Sequence, residues 1–143
     1  MTTYFQTANQ LKQKGKFSEA LAYYYQAIEH NPKFHLYHHN LGETLAKLGR
    51  FEEASAAFQH AIDISPNSSS YYSRAQSYTQ LGKTDQGNLA YYRAIELNPN
   101  WGVVLVKQGG LDRVIACFDS VLQRDPHQAM VYYDFSLYLA ERD

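Results

Sequence analysis

The stretch AYYYQAIEHNP, residues 22–32, is an apolar helix stripe closed by a proline, and the chain writes it four times. It returns as AAFQHAIDISP (56–66), AYYRAIELNP (90–99) and ACFDSVLQRDP (116–126). The closing prolines at 32, 66, 99 and 126 stand 34, 33 and then 27 residues apart. A period in this range marks stacked supersecondary units, and the short last interval marks one of them as irregular.

Aligning on the prolines brings further columns into register. Gly15, Gly49, Gly82 and Gly109 each precede their proline by 17 residues. Between them lie an aromatic (Tyr24, Phe58, Tyr91, Phe118) and small residues (Ala20, Ala54, Gly87; Ala27, Ala61, Ala94). Upstream of each glycine run a second small column (Ala8, Gly42, Ala75, Gly102) and an apolar one (Leu11, Leu45, Tyr78, Leu105). Glycine permits the left-handed turn that ends one helix and reverses the chain. Proline pushes the residue before it out of the α region and ends the next helix. Three- and four-residue apolar steps give each helix one buried stripe, and small residues let two axes approach. A pair of this kind cannot hide its own apolar face and must stack on a neighbour. The spacing predicts nine helices in antiparallel pairs, turns at Gly15, Gly49, Gly82 and Gly109, and no strand.

These columns together resemble the tetratricopeptide repeat family over nearly the whole chain. The resemblance implies a single all-α domain over 1–143, a right-handed α–α superhelix. Its repeats are expected at about 1–34, 35–67 and 68–101, with a shortened repeat at 102–126 and a closing helix at 127–141. It also implies an interaction module whose first helices line a concave groove for a partner protein or peptide.

The irregular repeat can be placed. NLGETLAKLGRFEEA (40–54) lies over NWGVVLVKQGGLDRV (100–114) without a gap, so the seven missing residues fall between Pro99 and Asn100. Seven residues are close to two α-helical turns, which keeps the stripe in phase while the helix loses its top. About ten helical residues remain before Gly109. Val114 and Val121 replace alanines at the close seam, which should push those helices apart. Trp101, Val103, Val104 and Val106 border the shortened wall, and Met130, Tyr133 and Tyr138 of the closing helix could be drawn to it.

Bulk composition sets exclusions. The 143 residues carry a net charge of −1 with no long run of one sign, so a nucleic-acid footprint is not expected. A lone cysteine, Cys117, allows no disulfide framework within the chain. The N-terminal MTTYFQTANQLKQKGK has no signal-peptide core, and WGVVLV at 101–106 is too short to span a bilayer. A soluble, cytoplasmic protein without a membrane partner is the expectation. No phosphate loop, H-E-x-x-H or G-x-S-x-G occurs, so neither enzymatic activity nor a cofactor is expected. His35, His38 and His39 could bring two imidazoles to one ion, but no carboxylate or thiol lies close by in sequence, and no metal is expected.

Mapping the inner helices gives a groove lined by Phe5, Gln6, Asn9, Lys12, His39, Asn40, Glu43, Lys47, Tyr72, Ser73, Gln76 and Gln80. Most are amides or hydroxyls. In members of the family that clamp a chaperone's terminal carboxylate, two asparagines stand beside lysine and arginine. Here Asn9 and Asn40 take the amide places, while Phe5, Ser69 and Ser73 stand where the cations should be. Other members hold a peptide backbone with a ladder of asparagines, which Asn40 and Asn100 match and Gln6 and Ser73 replace more weakly. The leading reading is a non-enzymatic module binding a peptide segment. The alternatives are an element that pairs chains through the shortened repeat, making a homo-oligomer, and a regulatory domain of a larger enzyme.

Overall fold

In the computed structural model, residues 3–124 are described, and those residues form eight helices and no strand. They are α1 (Tyr4–Gln13), α2 (Phe17–His30), α3 (His35–Lys47), α4 (Phe51–Ile64), α5 (Ser68–Gln80), α6 (Thr84–Leu97), α7 (Asn100–Gly109) and α8 (Leu111–Arg124). The expected closing helix at 127–141, with Met130, Tyr133 and Tyr138, lies outside the described residues. Each helix packs on its predecessor, α1 touches α3, and α3 touches α5, so α1, α3 and α5 share one face of a solenoid.

The first three pairs turn identically. After α1, the Gly15 N–H donates to the Lys12 carbonyl and the Lys16 N–H reaches back to the Leu11 carbonyl at 2.9 Å. The same two bonds recur around Gly49 and Gly82, with φ of +76° and +75° at those glycines. This double bond satisfies carbonyls that a helix end leaves open, and it needs a left-handed residue that glycine adopts without strain.

The fourth turn departs from the expectation. The left-handed residue is Gly110, at φ +80° and ψ 171°, not Gly109, which is the last residue of α7. Its N–H returns to the Val106 carbonyl at 2.7 Å, and the second bond of the other turns is missing. Gly110 occupies the place of Lys16, Arg50 and Lys83, so a second glycine allows an extended stop that those residues could not make.

Two apolar clusters hold the stack. One joins Ala8, Tyr24, Leu45, Ala54 and Phe58 of α1–α4, and the other joins Tyr72, Ala75, Tyr92, Val114 and Phe118 of α5–α8. The small columns are buried as the alignment requires, and Gly42 shows why. A Cβ there would stand 2.7 Å from the ring of Phe58, so α3 and α4 approach only because that atom is absent. As the spacing requires, α7 has ten residues, against 13 in α3 and α5.

Candidate functional site

Two adjoining clefts run along the face made by α1, α3 and α5. The first, about 370 Å³, is lined by Asn9, Lys12, Gln13, Phe17, Asn40 and Lys47. The second, about 440 Å³, has Glu43, Lys47, Ser73, Gln76 and Gln80 on its walls above the rings of Phe58 and Tyr91. Lys47 borders both. Eight of the twelve residues expected in a groove therefore line these clefts, four in the first and four more in the second.

The helical phase explains the grouping. Asn40, Glu43 and Lys47 fall at three- and four-residue steps on α3, and Ser73, Gln76 and Gln80 repeat those steps on α5. Gln13 belongs to the same column as Lys47 and Gln80, so that periodicity could have found it. Phe51, Ser77 and Thr79 also line the second cleft, and their columns gave no such signal.

The other four residues are occupied elsewhere. The Gln6 side chain closes a capping box with Thr3 at the start of α1, each residue bonding the other's backbone N–H. Phe5 packs against Tyr24, Phe34 and Tyr37, with the Tyr37 ring centred 4.8 Å away. Tyr72 is buried rather than turned to the groove. It stacks on Trp101 at 4.4 Å and donates its hydroxyl hydrogen to Gln108 of α7. Burial pushes that phenol up to about 12.

His39 is also buried, against the Phe58 ring, with Nδ1 2.8 Å from the Ser70 hydroxyl and Nε2 3.5 Å from Glu43. Burial lowers its pKa, and the Glu43 carboxylate opposes that shift. The Lys12 ammonium donates to the same carboxylate at 2.9 Å. A polar chain Lys12–Glu43–His39–Ser70 thus ties α1, α3 and α5 together, running from the cleft walls at Lys12 and Glu43 to the buried His39 and Ser70. His38 instead turns to the Pro32 carbonyl and the His60 ring, so the three histidines of α3 do not converge.

The two asparagines are not equivalent. Asn9 Oδ1 accepts the hydroxyl hydrogen of the fully buried Tyr24 at 2.6 Å, which fixes the side chain and leaves its NH₂ to donate. Burial raises the Tyr24 phenol to about 12 and keeps it a donor. Asn40 makes no side-chain hydrogen bond among the described residues, and its backbone carbonyl accepts the Thr44 hydroxyl. Lys12 is neutralised by Glu43, whereas Lys47 has no ion-pair partner there. The two clefts therefore present amides, hydroxyls and one unpaired ammonium.

Residues 11–78 match a family profile described as tetratricopeptide repeat, and residues 68–100 match a second profile of the same description. No curated protein matches the chain in sequence. Among solved structures, the first TPR of Spaghetti (RPAP3) bound to the HSP90 peptide SRMEEVD is 17% identical. That match covers 84% of this chain and 89% of that one, with a TM-score of 0.67. YrrB, described as a TPR protein with an unusual peptide-binding site, is 24% identical over 97% of this chain and 76% of its own, with a TM-score of 0.65. MamA AMB-1 is 27% identical over 66% and 56%, with a TM-score of 0.64. The two profile matches overlap and run from residue 11 to residue 100, across the three regular helix pairs: the chain belongs to the tetratricopeptide repeat family.

Proposed function

We propose that the face of α1, α3 and α5 binds an extended segment of a partner protein, gripping its backbone more than its side chains. The observation that carries this reading is the pair of adjoining clefts, joined at Lys47 and walled by Asn9, Asn40, Ser73, Gln76 and Gln80. A peptide unit offers one donor and one acceptor, and a side-chain amide answers both. Asn9, held by Tyr24, offers an NH₂ to a peptide carbonyl; Asn40 can give and take. The RPAP3 domain with its bound peptide and the peptide-binding site of YrrB support the same use of this fold.

The test is selection of peptides from a random library displayed on phage, followed by affinity measurement against wild type and an Asn40→Ala/Gln76→Ala variant. Two lost hydrogen bonds are worth about 1–3 kcal/mol, so affinity should fall on the order of tenfold with helicity unchanged. Equal affinity for both proteins would defeat the backbone-grip reading.

A further inference from the structure

The opposite side of the solenoid carries a pair of related clefts, and they differ at one residue that the fold does not ask for. The cleft over α3, between α2 and α4, is floored by Leu41 and Leu45 and walled by Tyr25 and Ile28. One repeat further on, the cleft over α5 is lined by Arg74, Tyr78, Gln59, Lys83 and Gln86. In the repeat alignment Arg74 takes the place of Leu41, Tyr78 that of Leu45 and Gln59 that of Tyr25. A cleft with an apolar floor, bordered by Glu53, His38 and His60, has given way to one with an arginine in its floor and Lys83 at its edge.

Arg74 has no counter-charge among the described residues. Its guanidinium lies 4.8 Å over the Tyr78 ring but forms no ion pair among the described residues. Its Nε is the one buried side-chain nitrogen or oxygen there without a hydrogen-bond partner. An orphaned buried donor costs stability, and a leucine would serve the fold here as Leu41 does. Such a break between pattern and packing is expected where function rather than folding selects the residue. Lys83 lines the same cleft at the N-cap of the 14-residue α6, where its side chain caps nothing. Glu52 also borders the cleft, yet it pairs with neither cation.

We infer that this outer cleft receives a carboxylate borne by an acidic side chain of a partner protein. The terminal Nη edge of the Arg74 guanidinium, unlike the enclosed Nε, is open to the cleft and presents two parallel N–H donors, a fork that matches carboxylate geometry. Lys83 and the helix N-terminus add positive potential on the same side. The cleft measures about 400 Å³, room for a side chain and its flanking backbone where a bound water takes roughly 30 Å³.

The experiment uses the full chain and follows the Arg74 Nε–Hε resonance during titration with N-acetylglutamate amide, with N-acetylglutamine amide as the neutral control. A saturable shift with the glutamate probe, absent with the glutamine probe and absent in Arg74→Leu, is the expected result. Ligand-free Arg74→Leu should melt at or above the wild-type temperature, because it replaces an unpaired cation with the residue of the neighbouring repeat. No shift, or an equal shift with both probes, would overturn the assignment. A response to inorganic phosphate alone would overturn the carboxylate and leave a free-anion site. A clear fall in melting temperature for Arg74→Leu, or movement of the resonance in Glu52→Gln without probe, would reassign Arg74 to an internal role.

Discussion

The second and fourth helix pairs align without a gap from Asn40 and Asn100 onward, yet they pack differently. In the second pair α4 lies along α3, with Gly42 under the Phe58 ring, and the outer helices α2 and α4 scarcely touch. In the fourth pair α8 leans as much on α6 as on α7. Phe118 meets the Tyr92 ring edge-on at 5.7 Å, and Asn88 of α6 bonds Ser120. Val114 and Val121, where the regular pairs keep alanine or glycine, are buried in the same cluster. Beside the shortened repeat, the last helix takes part of its burial from the outer helix of the preceding repeat. The stack thus accommodates seven missing residues, three of them from the inner helix, while the neighbour that supplies the burial changes.

The sharpest way to break this comparison is at Gly42. Adding one methyl forces the fully packed Phe58 ring to move, and overpacking of that kind costs about 1–3 kcal/mol. Gly42→Ala should lower the denaturation midpoint accordingly, and pairing it with Phe58→Leu should recover part of the loss. A midpoint unchanged by Gly42→Ala would mean that α3 and α4 are not held at this distance.

The turn glycines give the next effect. A left-handed position costs a non-glycine residue about 1–2 kcal/mol, so Gly49→Ala and Gly110→Ala should both destabilise. Gly109→Ala should cost less than Gly110→Ala, since Gly109 is helical and its added Cβ meets only the Arg113 side chain, at 3.2 Å. Chemical denaturation of the three variants ranks them. The reverse order at 109 and 110 would restore the turn that the repeat alignment predicts.

That alignment made much of the fold legible because every column repeats a physical requirement. Buried Ala20, Ala54 and Ala61 are small because helix axes meet there, and Pro32, Pro66 and Pro99 each follow a helix end. The fourth turn was misplaced by one residue because alignment treats Gly109 and Gly110 by column, whereas the backbone chooses by hydrogen bonding. The clue was the doubled glycine itself. Candidate groove residues were legible to the extent that helical phase decides them, as for Asn40, Glu43 and Lys47. Phase does not show what a side chain is already bonded to. Gln6 is taken by a T-x-x-Q capping box readable in the sequence. Tyr72 is taken by Trp101, a contact across the shortened repeat that no periodicity encodes. Asn9 likewise reads as a free surface amide until Tyr24 is seen to hold it. Its replacement should therefore cost stability, which is why Asn40 and Gln76 are the cleaner groove probes.

The smallest expected effect concerns the polar tie that the second pair has and the fourth lacks. Glu43 aligns with Val103 and His39 falls among the seven residues missing after Pro99, so the Lys12–Glu43–His39–Ser70 chain has no counterpart beside α8 among the described residues. Burial depresses the His39 pKa, with Lys12 and His35 adding to the shift and Glu43 opposing it. The unfolded chain, with an ordinary imidazole, therefore binds the proton more readily than the folded one. The stability this contributes is present above the ordinary histidine pKa near 6.5 and is lost as pH falls below it. Lowering the pH from about 7.5 to about 5.5 across that value should loosen α3 and α5 more than α8. Hydrogen exchange corrected for intrinsic rates reads this helix by helix. His39→Gln keeps a neutral polar group beside Ser70, so it should remove the difference between the two regions while leaving overall helicity in place. Equal loss of protection in α8, or a pH response that survives His39→Gln, would assign the acid sensitivity to other histidines and make the tie a passive contact.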